Sequence, residues 1–248
     1  EPAGIGPDLI IQLCNSSFWI DIKIPILCLS DSKLLIQRAK DLGKKISLKE
    51  ISDIKELEVN KKNIIQVMHV SDCENTKSGK LYKSNAQYVL DNLQFGIDEA
   101  LKNKNLALVT GPISKKNIIS INKAFSGHTE YIQQRTKSDE VLMLLASDQL
   151  RVALATTHIP LKKVANKITK ELVIRKVITL NEGLKEKFKI KNPKIKLLGL
   201  NPHSGEGGKI GTEEIDILIP AVKELRKKKI NISYPISADT AFTKKNLK

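Results

Sequence analysis

Two of the four histidines in this chain share the same sequence surroundings. His203 stands in Asn201-Pro202-His203-Ser204-Gly205-Glu206-Gly207-Gly208, a loop of turn formers directly after the apolar run Ile195–Leu200. His158 stands in Thr156-Thr157-His158-Ile159-Pro160, directly after Val152–Ala155. The C-terminal ends of strands are where α/β folds gather their chemistry. Glycines so close together let a backbone take positive φ and approach a ligand closely. Neutral imidazoles at two such positions suit a divalent metal ion, with nitrogen ligands at about 2.0–2.1 Å. A catalytic metal wants three protein ligands and an open position. Either a carboxylate such as Asp239 is the third ligand, or the third ligand lies outside this chain. A single histidine of this kind is more often an ordinary surface residue; the pairing is what points to metal.

A second group of residues has the makings of an anion site. Ser126-Gly127-His128-Thr129-Glu130 precedes a short helical stretch, and Ser126 is placed to cap it. Free N–H groups at that helix start favour a carboxylate or phosphate, with His128 and Thr129 adding side-chain donors. The bland alternative is an ordinary capped helix with a surface histidine. Lys115, just past the turn Gly111-Pro112, is placed to neutralise an anionic group, or is simply a solvated lysine. Standard nucleotide fingerprints fail. Gly4-Ile5-Gly6-Pro7-Asp8-Leu9 has Leu9 where a dinucleotide loop needs its third glycine, and Lys209 is followed by Ile210 where a P-loop needs Ser or Thr.

The elements that must carry these residues alternate along the chain. Apolar runs predict strands at Ile24–Leu29, Ile64–Val67, Leu106–Thr110, Val141–Ala146, Arg151–Ala155 and Ile195–Leu200. Most are nearly continuous in apolar residues, as strands covered on both faces are. Helical periodicity predicts Pro7–Asn15, Ser32–Leu42, Asn85–Asn103, Thr169–Lys187 and Gly211–Lys227. The alternation predicts an α/β fold with a largely parallel sheet.

Composition narrows the partners. A length of 248 residues suits one large α/β unit or two lobes. No apolar run approaches the roughly 20 residues needed to cross a bilayer. Cys14, Cys28 and Cys73 are odd in number and unpaired in spacing, which favours a reduced, cytoplasmic setting. The formal charge of +15 invites nucleic acid as a partner. Yet the excess is lysine, the arginines being Arg38, Arg135, Arg151, Arg175 and Arg226, and aromatics are only 4%. Bidentate base readout and base stacking therefore have little to work with. The charge is better suited to capturing a small anion.

Taken together, EPAGIGPDL (Glu1–Leu9), TGPISK (Thr110–Lys115), FSGHTEYI (Phe125–Ile132), LMLLAS (Leu142–Ser147), ATTHIPL (Ala155–Leu161), LNPHSGEGGKIGTEE (Leu200–Glu214) and SADTAF (Ser237–Phe242) closely resemble the PdxA family of 4-hydroxythreonine-4-phosphate dehydrogenases. They run over the whole chain in the family's order, and SGHTE and NPHSGEGG are specific to it and its near relatives.

The resemblance implies a two-lobed α/β fold of the isocitrate/isopropylmalate dehydrogenase type, divided at about 1–112 and 113–248. It implies a homodimer with the active site in the cleft near the dimer interface. It implies that His158 and His203 bind one divalent ion (Zn, Mg or Co), that His128 and Thr129 contact the phosphorylated substrate, and that NAD or NADP accepts hydride. Family members carry a first strand before EPAG and a third metal histidine after SADT, so the chain reads as a member truncated at both ends, with that histidine beyond Lys248. Competing readings are a paralogue acting on 4-phosphothreonate or 4-phosphoerythronate, a phosphate acyltransferase of related fold, and a non-enzymatic basic binding module.

Overall fold

The computed structural model describes residues 1–74 and 76–243. It divides into two compact units, Glu1–Lys137 and Ser138–Lys248.

The first unit is built on three parallel strands, β1 (Leu27–Leu29), β2 (Ser47–Glu50) and β3 (Ile64–Met68), in the order β1-β3-β2. Leu27 pairs with Gln66, and Ser47 pairs with Ile64. Central β3 buries Ile65 and Val67 completely, which is why its sequence is so apolar. Edge strand β2 reads Ser-Leu-Lys-Glu, and its end residues are exposed. Its exposed ends are polar, so no apolar run announces it, unlike β1 (Leu-Cys-Leu) on the other edge.

Helices α1 (Gly6–Asn15), α2 (Phe18–Asp21) and α3 (Ser32–Asp41) come from the same half of this unit. Ile11, Cys14, Trp19, Leu35 and Ala39 join the β3 residues in one core. The Asp31 side chain accepts from the Lys33 N–H at 2.8 Å and so caps α3. A second core lies along α4 (Asn85–Lys102), where Tyr88, Val89, Leu93 and Ile97 meet Ile118 of α5 (Lys115–Ile119) and Phe125. Tyr131 and Ile132 of α6 (His128–Thr136) pack on the same cluster. The compact unit therefore runs on to Lys137, carrying residues 113–137 with it, whereas the resemblance put the division at 112.

Residues 106–110 form no strand among the described residues. Leu108 packs on the α4 cluster, but Val109 is 91% exposed. Without a sheet on both sides, the run's apolarity does not make it a strand.

The second unit opens with β4 (Leu144–Ala146) and β5 (Arg151–Ala153), which pair antiparallel, Leu144 opposite Ala153. Only residues 147–150 join them, and so short a connection permits a hairpin but not a parallel crossover. The expected parallel arrangement therefore does not extend to this pair.

Helices α7 (Val164–Lys167), α8 (Lys170–Glu186), α9 (Ile219–Lys227) and α10 (Ala238–Ala241) follow. The Thr169 hydroxyl accepts from the Leu172 N–H at 3.1 Å and caps α8. Val173, Val177 and Leu184 of α8 pack on Ala221, Val222 and Leu225 of α9, with Ile195 and Ile232 closing the core. The apolar run at 195–200 appears as two isolated parallel bridges, Ile195 with Ile232 and Leu198 with Ile236.

The predicted helix over 211–227 starts later, as a π-type turn over Glu214–Leu218. Pro220 has no N–H to give the carbonyl of residue 216, and its ring crowds that carbonyl. The Ile219 N–H bonds instead to Glu214 O, five residues back. The three cysteines are free. Among the described residues no helix is long and apolar enough to cross a membrane.

Candidate functional site

His203 is held in an unusual backbone. Residues 203–207 all have left-handed φ and ψ, His203 itself at 52° and 30°. Three of the five, His203, Ser204 and Glu206, are not glycine. At about 1–2 kcal/mol for each L-residue in this region, the loop stores roughly 3–6 kcal/mol of strain.

Glu214 supplies much of what offsets it. This carboxylate is only 3% exposed, on the first turn leading to α9. Its Oε1 accepts from the N–H groups of Leu200 (2.7 Å) and Asn201 (2.8 Å), and its Oε2 accepts from Asn201 Nδ2 at 2.9 Å. Hydrogen bonds to a charged group contribute about 1.5–3 kcal/mol each, so three of them are enough to offset the strain. Burial alone would push the Glu214 carboxyl up. The donors from Asn201 and Leu200 outweigh it, and the group is held below its ordinary range, ionised at neutral pH. Gly205 must be glycine on two grounds. Its φ is +77°, and a Cβ there would stand 2.8 Å from Glu214 Oε2.

So presented, the His203 side chain is 60% exposed, with Nδ1 3.3 Å from Asp239 Oδ2. The Ser237 hydroxyl and Asp239's own N–H lower the Asp239 carboxyl, with a further contribution from His203. An imidazole whose Nδ1 faces a carboxylate keeps Nε2 free, the arrangement found around metal-bound histidines. Asp239, named above as a possible third ligand, thus stands on the Nδ1 side of this ring.

His158 lies in the same unit, beyond β5, exposed and also left-handed at φ 56°. Among the described residues, no three His, Cys, Asp or Glu side chains converge in a way that could hold a metal ion. The imidazoles therefore fit a divalent ion in type of donor, while a complete set of three does not form. His69 belongs to the first unit, its Nε2 3.5 Å from Asp72 Oδ1.

The anion-binding candidates are also in the first unit. Gly127 is the N-cap of α6, with φ 156° and ψ 177°. No side chain caps the helix, so Ser126 is not the cap the sequence suggests. A Cβ at Gly127 would come 3.2 Å from Lys115 Nζ and 3.1 Å from Glu130 Oε2. The Lys115 ammonium is thus parked over the helix start, and Ser114 caps α5 just before it.

His128 and Thr129 follow, both half-buried. Burial, and then nearby positive charge including Lys115, lowers the His128 pKa. A neutral imidazole, uncapped N–H groups and an ammonium converge there, a combination that favours an anion.

Sequence reasoning found His128, Thr129, His158, His203 and Lys115, but missed Glu214. Glu213-Glu214 near a predicted helix start reads as a solvated first turn. Only the run of glycines hints that something must hold the loop.

Comparison with known proteins gives the family and the fold. Residues 21–248 match the family "Pyridoxal phosphate biosynthetic protein PdxA". A 4-hydroxythreonine-4-phosphate dehydrogenase from Burkholderia phymatum superposes with a TM-score of 0.87 at 28% identity, over 99% of this chain and 74% of that one. The enzyme of that name from Klebsiella pneumoniae gives 0.89 at 25% identity, over 99% and 75%. A terephthalate 1,2-cis-dihydrodiol dehydrogenase from Burkholderia xenovorans shares the fold at a TM-score of 0.63 and 22% identity. The chain belongs to the PdxA family of pyridoxal phosphate biosynthetic proteins.

Proposed function

We propose that the protein is an NAD(P)-dependent, divalent-metal-dependent dehydrogenase that oxidises 4-phosphooxy-L-threonine in the making of vitamin B6. The observation that carries this reading is the agreement with two solved 4-hydroxythreonine-4-phosphate dehydrogenases over 99% of the chain. The secondary hydroxyl would lose its proton while the carbon that bears it gives up its hydrogen as hydride to a bound nicotinamide. The resulting ketone lies β to the carboxylate, and such an acid loses CO₂ to give 3-amino-2-oxopropyl phosphate. A bound divalent ion supplies Lewis acidity that lowers the hydroxyl pKa.

Each residue has a role within this reading. His158 and His203 contribute imidazole ligands, with Asp239 keeping the proton of His203 on Nδ1 so that Nε2 faces outward. The α6 N-terminus, Thr129, neutral His128 and Lys115 hold the substrate phosphate as a handle, contributing orientation rather than chemistry. The protein acts as a homodimer in the cytoplasm.

The test is substrate screening of protein from the complete reading frame, following NADH or NADPH formation. Turnover of 4-phosphooxy-L-threonine, abolished by chelation, is expected. Reduced cofactor formed only with 4-phospho-D-threonate or 4-phospho-D-erythronate would replace the assignment with the paralogous one. Activity of an acyl-phosphate type that survives chelation would overturn both. His203→Ala should bring metal-dependent turnover to background in a protein that still folds. Rates like the unsubstituted protein's would refute its role.

A further inference from the structure

We propose that Glu214 is a positioning residue for His203: one buried carboxylate fixes the entry to the left-handed loop, lies against its middle, and so sets where the imidazole is presented. This rests on the reading of His203 as a metal ligand. Glu214 Oε1 takes the N–H groups of Leu200 and Asn201, where the chain enters the loop. Its Oε2 takes Asn201 Nδ2, and it lies against Gly205, where a Cβ would be 2.8 Å away. His203 is two residues from Asn201, which this carboxylate holds, and two from Gly205, against which it packs. Further support comes from Ser204 N–H to Asn201 O at 3.1 Å, from the Lys209 and Ile210 N–H groups to Gly205 O, and from Asp239 beside the ring.

The chemistry requires a carboxylate. Glu214 faces three N–H donors and offers only acceptors. A glutamine of the same shape would turn its NH₂ on the Asn201 amide. That amide cannot simply flip to compensate, because its Nδ2 also donates to Glu213 Oε2 at 2.7 Å. An oxygen placed there would face a carboxylate. Loss of the anion therefore breaks the Asn201 side-chain bond and weakens the two backbone ones, which loosens the loop entry and the ring with it.

The experiment titrates Co²⁺ alone into protein from the complete reading frame, reading visible ligand-field absorbance, and records the His203 ring ¹⁵N resonances without metal. Glu214→Gln is expected to weaken Co²⁺ binding about 10–100-fold, the range for outer partners of metal ligands. It should also shift His203 from a mainly Nδ1–H tautomer to a mixture. Val222→Ala, a core change in the same unit, should lower Tm yet leave Co²⁺ affinity within about twofold, because ordinary core loss does not touch the loop. Equal weakening by both variants would make Glu214 merely structural and overturn the proposal. So would Glu214→Gln binding Co²⁺ like the unsubstituted protein while His203→Ala does not. If His203→Ala itself binds normally, the ligand reading falls and takes the proposal with it. Should Glu214→Gln fail to fold, Asn201→Ala removes the Oε2 bond and keeps both backbone ones. Several-fold weaker binding is then expected, and unchanged binding overturns the proposal.

Discussion

The two units solve the problem of presenting a histidine in opposite ways. His128 opens a regular helix, and everything around it is ordinary: a glycine N-cap, an exposed lysine, a ring neutral through burial and neighbouring charge. His203 sits in a left-handed run held at its entry by a buried carboxylate and packed closely at Gly205. A group that lends backbone donors to a phosphate needs no special conformation, since a helix start already aims its N–H groups outward. A ring that must direct one nitrogen at a point in space needs its backbone fixed. The second arrangement stores strain and the first does not, so substitutions should separate them.

The largest separation is expected at the two glycines. Gly205→Ala places a methyl group 2.8 Å from Glu214 Oε2 at a φ of +77°. Left-handed strain alone costs about 1–3 kcal/mol, and displacing the carboxylate adds the loss of its hydrogen bonds. At roughly 2–4 °C per kcal/mol for a chain of this size, calorimetry should show Tm falling by about 10 °C. Gly127→Ala is also strained, at a φ of +156°, but it meets the movable ends of the Lys115 and Glu130 side chains, with no buried charge at stake. It should lose about half as much or less. Equal losses would mean the His203 loop is no more strained than a helix start.

A smaller effect tests the electrostatics of the first unit. Burial first, and positive neighbours second, set the His128 pKa below its ordinary value. Above the ordinary value both folded and unfolded chains are neutral at this site, and the ring contributes no pH dependence. As pH falls through it the unfolded chain takes the proton first, so folding stability declines until the folded pKa is passed. Lys115→Ala removes a positive neighbour and should move the His128 midpoint upward in an NMR titration. It should also raise KM for the phosphorylated substrate several-fold with little change in kcat, as a lost binding contact does. An unmoved midpoint would detach Lys115 from this site.

How far such a contrast can be read without coordinates depends on what each element is made of. Helices α4 and α8 were legible because each buries one stripe against a core, and Leu93 and Ile97, or Val173 and Val177, repeat at that spacing. Central β3 was legible because Ile65 and Val67 have protein on every side. Strand β2 was not, because Lys49 and Glu50 on an edge look like loop. Val109 misled in the other direction, being apolar and almost wholly exposed. For the candidate site, residue types gave the histidines, but nothing in the spelling of Glu214 separates a buried strut from a solvated first turn. That distinction is carried by three donors from Leu200 and Asn201, which converge only when the loop is folded.

The smallest effect concerns capping, where sequence and structure part company most quietly. Ser126, the cap expected from sequence, caps nothing, whereas Thr169, which the sequence places as the first helical residue, accepts from the Leu172 N–H at 3.1 Å. Thr169→Ala should cost about 1 kcal/mol, the usual value of a lost cap. Ser126 is exposed and caps nothing, so Ser126→Ala should stay within about 0.5 kcal/mol in urea denaturation. A helix start left open by its own serine keeps its N–H groups available to an incoming anion. If Ser126→Ala cost as much as Thr169→Ala, those groups would already be occupied in solution, and the first unit's case as a phosphate handle would weaken accordingly.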